Sequence, residues 1–143
     1  MKLAYAVLAD AAQVTPDGKT SMLGGDFDTI FALRFPAQHP SLALVMRFDV
    51  EKQECGLEHQ LRIAVTGPLN TQVAGPIISD FIPRANPAYP NRLVKALMVA
   101  TFHNLEFASQ GTYNVNITVD GRSMGKVTLY LAQLSTRDTS GSR

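Results

Sequence analysis

The chain has 143 residues, of which 45% are apolar and 17% are charged, and its formal net charge is +1. This length favours one domain rather than two, and so large an apolar share excludes a disordered chain. The near-zero net charge excludes a strong overall attraction to nucleic acid or to an anionic membrane surface. Valine, isoleucine and threonine together number 28, whereas glutamate and lysine number nine. This balance favours β-strands over solvated helices.

The N-terminal segment leaves strand and helix both open. Residues 1–12 hold one lysine and an apolar run too short for a secretory leader, so we expect none. In residues 2–9, alanine supports a helix, whereas Tyr5 and Val7 support a strand. Pro16-Asp17-Gly18 then predicts a hairpin turn, because proline fixes φ and glycine accepts a positive φ.

Three later segments alternate apolar and polar side chains with a period of two. They are Leu42–Val50, Leu57–Thr66 and Tyr113–Val119. In the last, Val115 and Ile117 share one parity while Asn114 and Asn116 share the other. Such alternation predicts half-buried antiparallel strands.

The segment from Arg92 to His103 is apolar at both parities, and its spacing also fits a helical stripe. We favour a strand covered on both faces, because hairpin-like segments follow it. Asp120-Gly121 predicts a hairpin after Val119, with a loop that Arg122 to Gly125 could lengthen. The tail, residues 135–143, has no apolar residue and is predicted to be flexible.

Taken together, the strand patterns and regularly spaced turn signals predict an all-β fold. We expect residues 1–134 to form a single antiparallel β-sandwich, Ig-like or jelly-roll-like, with at most one short helix.

Several short motifs are similar to those of an uncharacterised bacterial family, a domain of unknown function. They are Tyr5-Ala6-Val7-Leu8-Ala9-Asp10, Leu23-Gly24-Gly25, Asp28-Thr29-Ile30, His39-Pro40-Ser41-Leu42, Gly111-Thr112-Tyr113 and Val119-Asp120-Gly121. The resemblance runs from Leu3 to about Ala132 and is weakest from Glu51 to Arg92. It implies a small all-β sandwich and brings no catalytic residues to transfer.

Enzyme signatures are missing from the sequence. It has no nucleophile elbow, P-loop or dinucleotide-binding glycine motif, so we predict no catalytic residues and lean against an enzyme. Cys55 and His59 would lie about 13 Å apart along a strand, too far to share a zinc ion. Asp26 and Asp28 could supply two oxygens to Ca²⁺, but six to eight are needed, and outward residues beside a bend are the simpler interpretation. We therefore predict no metal and no cofactor.

The stretch from Pro83 to Arg92 is the most site-like part of the chain. Its three prolines would reduce the entropy lost on binding, and its arginines could make forked contacts with a carboxylate or phosphate. We name Arg84, Tyr89 and Arg92, with Asp28, as candidate ligand-binding residues. The simpler alternative is a crossover between sheets with solvated arginines.

Our first functional hypothesis is a non-catalytic interaction protein that self-associates or docks a partner protein. It depends on outward apolar or small residues such as Ala43 and Val45, and on the two-sided apolar run from Leu93 to Phe102. The alternative is a sensor or sequestering protein for a small anionic ligand bound at the end loops. We expect no membrane partner and regard nucleic acid as a poor candidate. The single Cys55 suits the cytoplasm.

Overall fold

The computed structural model describes residues 1–135 of the chain, which form nine β-strands in two sheets. The strands are β1 (Lys2–Val14), β2 (Thr20–Gly25), β3 (Thr29–Ala32), β4 (Ala37–Val50), β5 (His59–Thr66), β6 (Gln72–Phe81), β7 (Val94–Phe107), β8 (Gly111–Val119) and β9 (Arg122–Gln133). Two single 3-10 turns, Lys52–Glu54 and Pro68–Asn70, are the helical segments of this region. The all-β prediction is confirmed.

The four-stranded sheet, sheet A, has the order β2-β1-β4-β7, and all its neighbours are antiparallel. Both ambiguous segments lie in it as strands, residues 2–9 within β1 and most of residues 92–103 within β7. The apolar residues of β7 occupy both parities because one set, which includes Phe102, enters the core while the other lies on the outer face of the sheet.

The five-stranded sheet, sheet B, has the order β3-β9-β8-β5-β6. Its β3–β9 pair is parallel, so the prediction of a purely antiparallel fold is wrong at this edge. The reason is the route of the chain. After β2 it bends at Gly24 and Asp26, which both have positive φ, and then pairs with the last strand without any hairpin to fix its direction.

The predicted hairpins form where the turn residues stand. Asp120 (φ 52°) and Gly121 (φ 77°) make a two-residue loop of the type that matches strand twist, and β9 starts directly at Arg122. The possible lengthening of this loop does not occur. At the other predicted turn, the backbone N–H of Thr15 donates to the carbonyl of Lys19 at 2.7 Å, which closes the β1–β2 hairpin.

One hydrophobic cluster combines the inward side chains of both sheets. Phe48 of sheet A stacks with Phe81 of sheet B at 6.3 Å between ring centroids. Phe107 and Tyr113 meet edge to face at 5.0 Å, and the hydroxyl of Tyr113 donates to the carbonyl of Ser109 at 2.6 Å. Each fully buried aromatic or aliphatic side chain in such a core contributes about 1.5–3 kcal/mol.

Within residues 1–135, no helix is long and apolar enough to cross a membrane. The predicted flexible tail, residues 135–143, lies outside the described residues apart from Ser135.

Candidate functional site

The loop between β6 and β7 is built from two consecutive turns. The backbone N–H of Tyr89 donates to the carbonyl of Asn86 at 2.9 Å, and that of Arg92 donates to the carbonyl of Tyr89 at 3.2 Å. The side chain of Asn86 accepts from the N–H of Ala88 at 2.9 Å, and the N–H of Gly56 donates to the buried Pro83 carbonyl at 2.7 Å. The prolines and these bonds hold the loop in one shape.

A cavity of about 250 Å³ opens at this loop, and we call it the basic pocket. Its lining residues are Arg84, Asn86, Tyr89, Arg92, Leu93, Val94 and Lys95. The guanidinium carbon of Arg92 lies 4.0 Å from the centroid of the Tyr89 ring, close enough for a cation–π contact. The lining holds three cationic side chains and no carboxylate.

None of these three cations forms an ion pair with a carboxylate in the described part of the chain, residues 1–135. The cross-strand neighbour of Lys95 is Asp49, but the Asp49 carboxylate contacts the Arg47 side chain at 3.2 Å. The positive charge of the basic pocket is therefore uncompensated by neighbouring side chains.

Three of the four predicted ligand-binding residues, Arg84, Tyr89 and Arg92, thus line one cavity. Asp28 does not line it; it borders a separate cavity of about 380 Å³ with Asp26 and Phe27, beside β1. The Asp28 carbonyl accepts the N–H of Tyr130 at 2.7 Å, so its backbone helps to dock β3 onto β9. No group of three or more His, Cys, Asp or Glu side chains suited to a metal ion occurs in residues 1–135.

The outer face of sheet A consists of rows of cross-strand neighbours. We define it by its rows across β1, β4 and β7: Lys2, Asp49 and Lys95; Tyr5, Arg47 and Leu97; Val7, Val45 and Val99; Ala9, Ala43 and Thr101. Ser41 and His103 form the next row on β4 and β7. Charges are confined to the first two rows, and the middle of this face is apolar.

Ala9, Ala43 and Val45 at the centre of this face are 0% exposed, because the side chains of Tyr5, Val7, Ala12 and Val99 pack around them. Ala43 and Val45 point outward, as predicted. The residues that alternate with them on β4, such as Leu44, enter the main core. The face is a shallow apolar surface with a floor of small side chains.

The two central strands of sheet B, β5 and β8, have a polar outer surface, whereas Ile78 on β6 and Tyr130 on β9 add exposed large side chains on either side of them. The residues of β5 and β8 that alternate with its core residues are polar apart from one alanine: Arg62, Ala64 and Thr66 on β5, and Asn114, Asn116 and Thr118 on β8. The side-chain amide of Asn116 donates to Thr66 at 3.0 Å, and the Thr128 hydroxyl donates to Asn114 at 3.0 Å. Side-chain hydrogen bonds therefore link β5, β8 and β9 across this surface.

Sequence reasoning missed a polar cluster around His59. Its Nδ1 lies 2.7 Å from an Asp120 carboxylate oxygen, its Nε2 lies 2.8 Å from the Glu54 carbonyl, and its ring packs on Phe81. The other Asp120 oxygen accepts the N–H of Gln60 at 2.9 Å. Both ring nitrogens are therefore occupied, so the cluster joins β5 to the β8–β9 hairpin rather than presenting a free imidazole.

The hydrogen bond to the Glu54 carbonyl, followed by that to Asp120, raises the pKa of His59 above its usual value. The hydrogen bond from His59, followed by that from the backbone amide of Gln60, lowers the pKa of Asp120. These two residues are 61 positions apart and gave no local signal in the sequence. Only the pairing of β5 with β8 brings them together.

Comparison with known proteins yields a family match and a structural likeness. A model of the family of unknown function (DUF6941) matches residues 4–132, so the predicted resemblance to an uncharacterised family is confirmed. Among curated proteins no match is found. Among solved structures, the chain is similar to the Pseudomonas fluorescens alkylpurine DNA glycosylase AlkC bound to DNA containing an abasic site analog, at 10% identity and a TM-score of 0.44. The similarity covers 89% of this chain and 30% of that one.

Proposed function

We propose a function for this chain, which belongs to the family of unknown function DUF6941, from the contrast between its two outer surfaces. The chain is a non-catalytic interaction protein that self-associates through the outer face of sheet A. The single observation that carries the proposal is the unbroken apolar centre of this face, set against the polar outer surface of β5 and β8, the central strands of sheet B. Contiguous apolar surfaces on the outside of a sheet are typical of protein contacts.

A second copy of the chain is the occupant that fits this surface. Next to the central valine row lies a row of large side chains, Tyr5, Arg47 and Leu97, and on the other side a row of small ones, Ala9, Ala43 and Thr101. A two-fold axis that crosses the strands at Val45 places the large row of each copy on the small row of the other. Large-on-small packing of this type fills the space between facing sheets.

The same arrangement is favourable for charge. It sets Asp49 of one copy opposite the uncharged Ser41 of the other, and Lys95 opposite His103, so no like charges face each other when histidine is neutral. The single charge of +1 per chain offers little general repulsion.

The area is that of a small, weak interface. Three to four strands about 4.8 Å apart, and five rows about 6.6 Å apart, give a face of roughly 500–600 Å². This reaches the lower end of specific interfaces, which bury about 600–1,000 Å² per partner.

The experiment is sedimentation velocity over a range of protein concentrations, with Leu97→Glu as the test variant. We expect a concentration-dependent dimer for the parent chain and a monomer for Leu97→Glu, because the carboxylate would lose its hydration against the row of small side chains of the other copy. Ile78→Glu, which replaces a 51% exposed residue on β6 of sheet B, is the matched control and should still dimerise. A parent chain that stays monomeric, or equal dimerisation of the parent and Leu97→Glu, would refute self-association through this face.

We further propose that the two sheets form a sandwich of the immunoglobulin type. The orders β1-β4-β7 and β9-β8-β5 match the A-B-E and G-F-C strand orders of that architecture. The Tyr113 hydroxyl, at the start of β8, bonds to a carbonyl four residues upstream, as in a tyrosine corner. Nuclear Overhauser contacts between the Phe48 and Phe81 rings would test the face-to-face packing.

We also propose that the protein resides in the cytoplasm. The support is its single cysteine, Cys55, which leaves a fold that needs no internal disulfide. Cell fractionation with an antibody to the chain tests this.

A further inference from the structure

The basic pocket concentrates positive charge in a way that no other requirement of the fold explains. Arg84, Arg92 and Lys95 line one cavity that has no acidic lining residue, and within residues 1–135 none of them pairs with a carboxylate. Lys52 adds a fourth cation beside the loop, where its Nζ donates to the Asn91 side chain at 3.1 Å. Like charges brought together without a counter-charge raise the energy of the free protein and are relieved by a bound anion.

We infer that the basic pocket binds a small oxyanion with two or more negative charges, a phosphate ester or a di- or tricarboxylate. Arginine suits such ligands because its planar fork can donate two parallel hydrogen bonds to phosphate or carboxylate oxygens. The pocket holds two arginines and the Lys95 ammonium, so the ligand that matches it carries more than one charge.

The pocket is organised before any ligand arrives. The guanidinium carbon of Arg92 lies 4.0 Å from the centroid of the Tyr89 ring, and this cation–π contact restricts the Arg92 side chain. The two turns of the loop and the bond from Gly56 to Pro83 restrict the backbone. Binding therefore costs little ordering of the loop, and this preorganisation favours recognition of a small ligand.

The size and walls of the cavity limit the ligand further. A volume of about 250 Å³ lies below the range of about 300–1,000 Å³ that is usual for drug-sized ligands. Leu93, 57% exposed, and Val94 supply an apolar wall beside the cations. The ligand is thus a compact anion with at most a short apolar part.

The anion site shares only Lys95 with the proposed dimer contact. Arg84 and Arg92 lie in the loop, away from the apolar rows of the outer face, whereas Lys95 belongs to its charged end row. Substitution of the two arginines therefore tests the pocket without altering the face of sheet A.

The test is calorimetric titration of the full chain with inorganic phosphate, pyrophosphate and citrate at constant ionic strength. We expect at least one probe to bind at about 1 mM or below, and the double variant Arg84→Gln/Arg92→Gln to weaken it by about a hundredfold or more, since each charged hydrogen bond lost reduces affinity about tenfold to a hundredfold. The matched control, Arg62→Gln/Arg122→Gln, removes two exposed arginines elsewhere and should bind as the parent does. Tighter binding of the phosphates identifies a phosphate ester as the ligand class, and tighter binding of citrate identifies a carboxylate.

Two results would overturn the inference. One is the absence of binding by all three probes. The other is equal weakening in the pocket and control variants, which would mean a general charge effect. Sedimentation of the double variant tests self-association separately, because loss of anion binding should leave its dimerisation unchanged.

Discussion

The imidazole Nδ1 of His59 lies 2.7 Å from the carboxylate of Asp120, although the two residues are 61 positions apart. The opposite ring nitrogen lies 2.8 Å from the Glu54 carbonyl. Because both partners are acceptors, both contacts are hydrogen bonds only when the ring is doubly protonated. The cluster therefore links protonation of one buried ring to the attachment of a turn and a hairpin.

Stability should depend on pH through His59. Its folded-state pKa is raised above the usual 6.5, so its contribution is fully present below pH 6.5 and is lost as the pH rises through the folded-state pKa. The pKa of Asp120 is lowered from 3.8, so its contribution is present above pH 3.8 and is lost as the pH falls through the folded-state pKa. Urea unfolding should give a higher free energy of unfolding near pH 5.5 than near pH 8.5. His59→Gln should reduce this difference.

Asp120→Asn should separate the charge of this residue from its role in the turn. Asparagine tolerates the positive φ of position 120, so the hairpin should persist while the carboxylate is lost. We expect the pKa of His59, followed by the NMR shifts of its ring protons, to fall. The protein should lose about 0.5–1.5 kcal/mol of stability near pH 5.5, because the Asp120 side chain is 47% exposed and solvent screens its charge. An unchanged pKa of His59 would show that the Asp120 contact contributes nothing to the proton affinity of the ring.

The sequence was sufficient for most of the strands, because local patterns specify them. Period-two alternation gave β4, β5 and β8, and Asp-Gly turns gave the two hairpins. The β3–β9 pair could not be predicted in this way, since its partners are about 100 residues apart and no turn joins them. Alternation fixes which side of a strand is buried, but it does not fix which distant strand lies next to it.

In the candidate site too, residues close in sequence could be predicted to lie together, whereas residues far apart in sequence could not. Arg84, Tyr89 and Arg92 are close in sequence within a proline-rich loop, and the structure brings them to one cavity. Asp28 was grouped with them on the assumption that the end loops meet, but it borders another cavity. Likewise, the His59–Asp120 contact depends on the pairing of β5 with β8, and no short sequence motif predicts that pairing.

Tyr113→Phe should reveal the contribution of the hydroxyl that bonds to the Ser109 carbonyl. This substitution keeps the buried ring and its edge-to-face contact with Phe107 but removes the 2.6 Å hydrogen bond. We expect a loss of about 0.5–1.5 kcal/mol in the free energy of unfolding, measured by urea denaturation. Tyr130→Phe, at a residue 46% exposed, is the control and should change stability little. If Tyr113→Phe and the parent had the same free energy of unfolding, the hydrogen bond of this hydroxyl would not contribute to stability.

Salt should separate the two proposed binding surfaces within one chain. The centre of the outer face of sheet A contains no charge and sets no ion pairs across the proposed dimer, so its dissociation constant should change less than about threefold between about 0.05 and 0.5 M sodium chloride. Ammonium sulfate should tighten the dimer, because excluded salts strengthen apolar burial. Anion binding at Arg84 and Arg92 should weaken steeply over the same sodium chloride range, since chloride screens and competes for these exposed cations. Sedimentation and calorimetry in matched buffers measure both constants. A dimer that dissociates as steeply as the anion would mean that its contact is ionic, contrary to large-on-small packing around Val45.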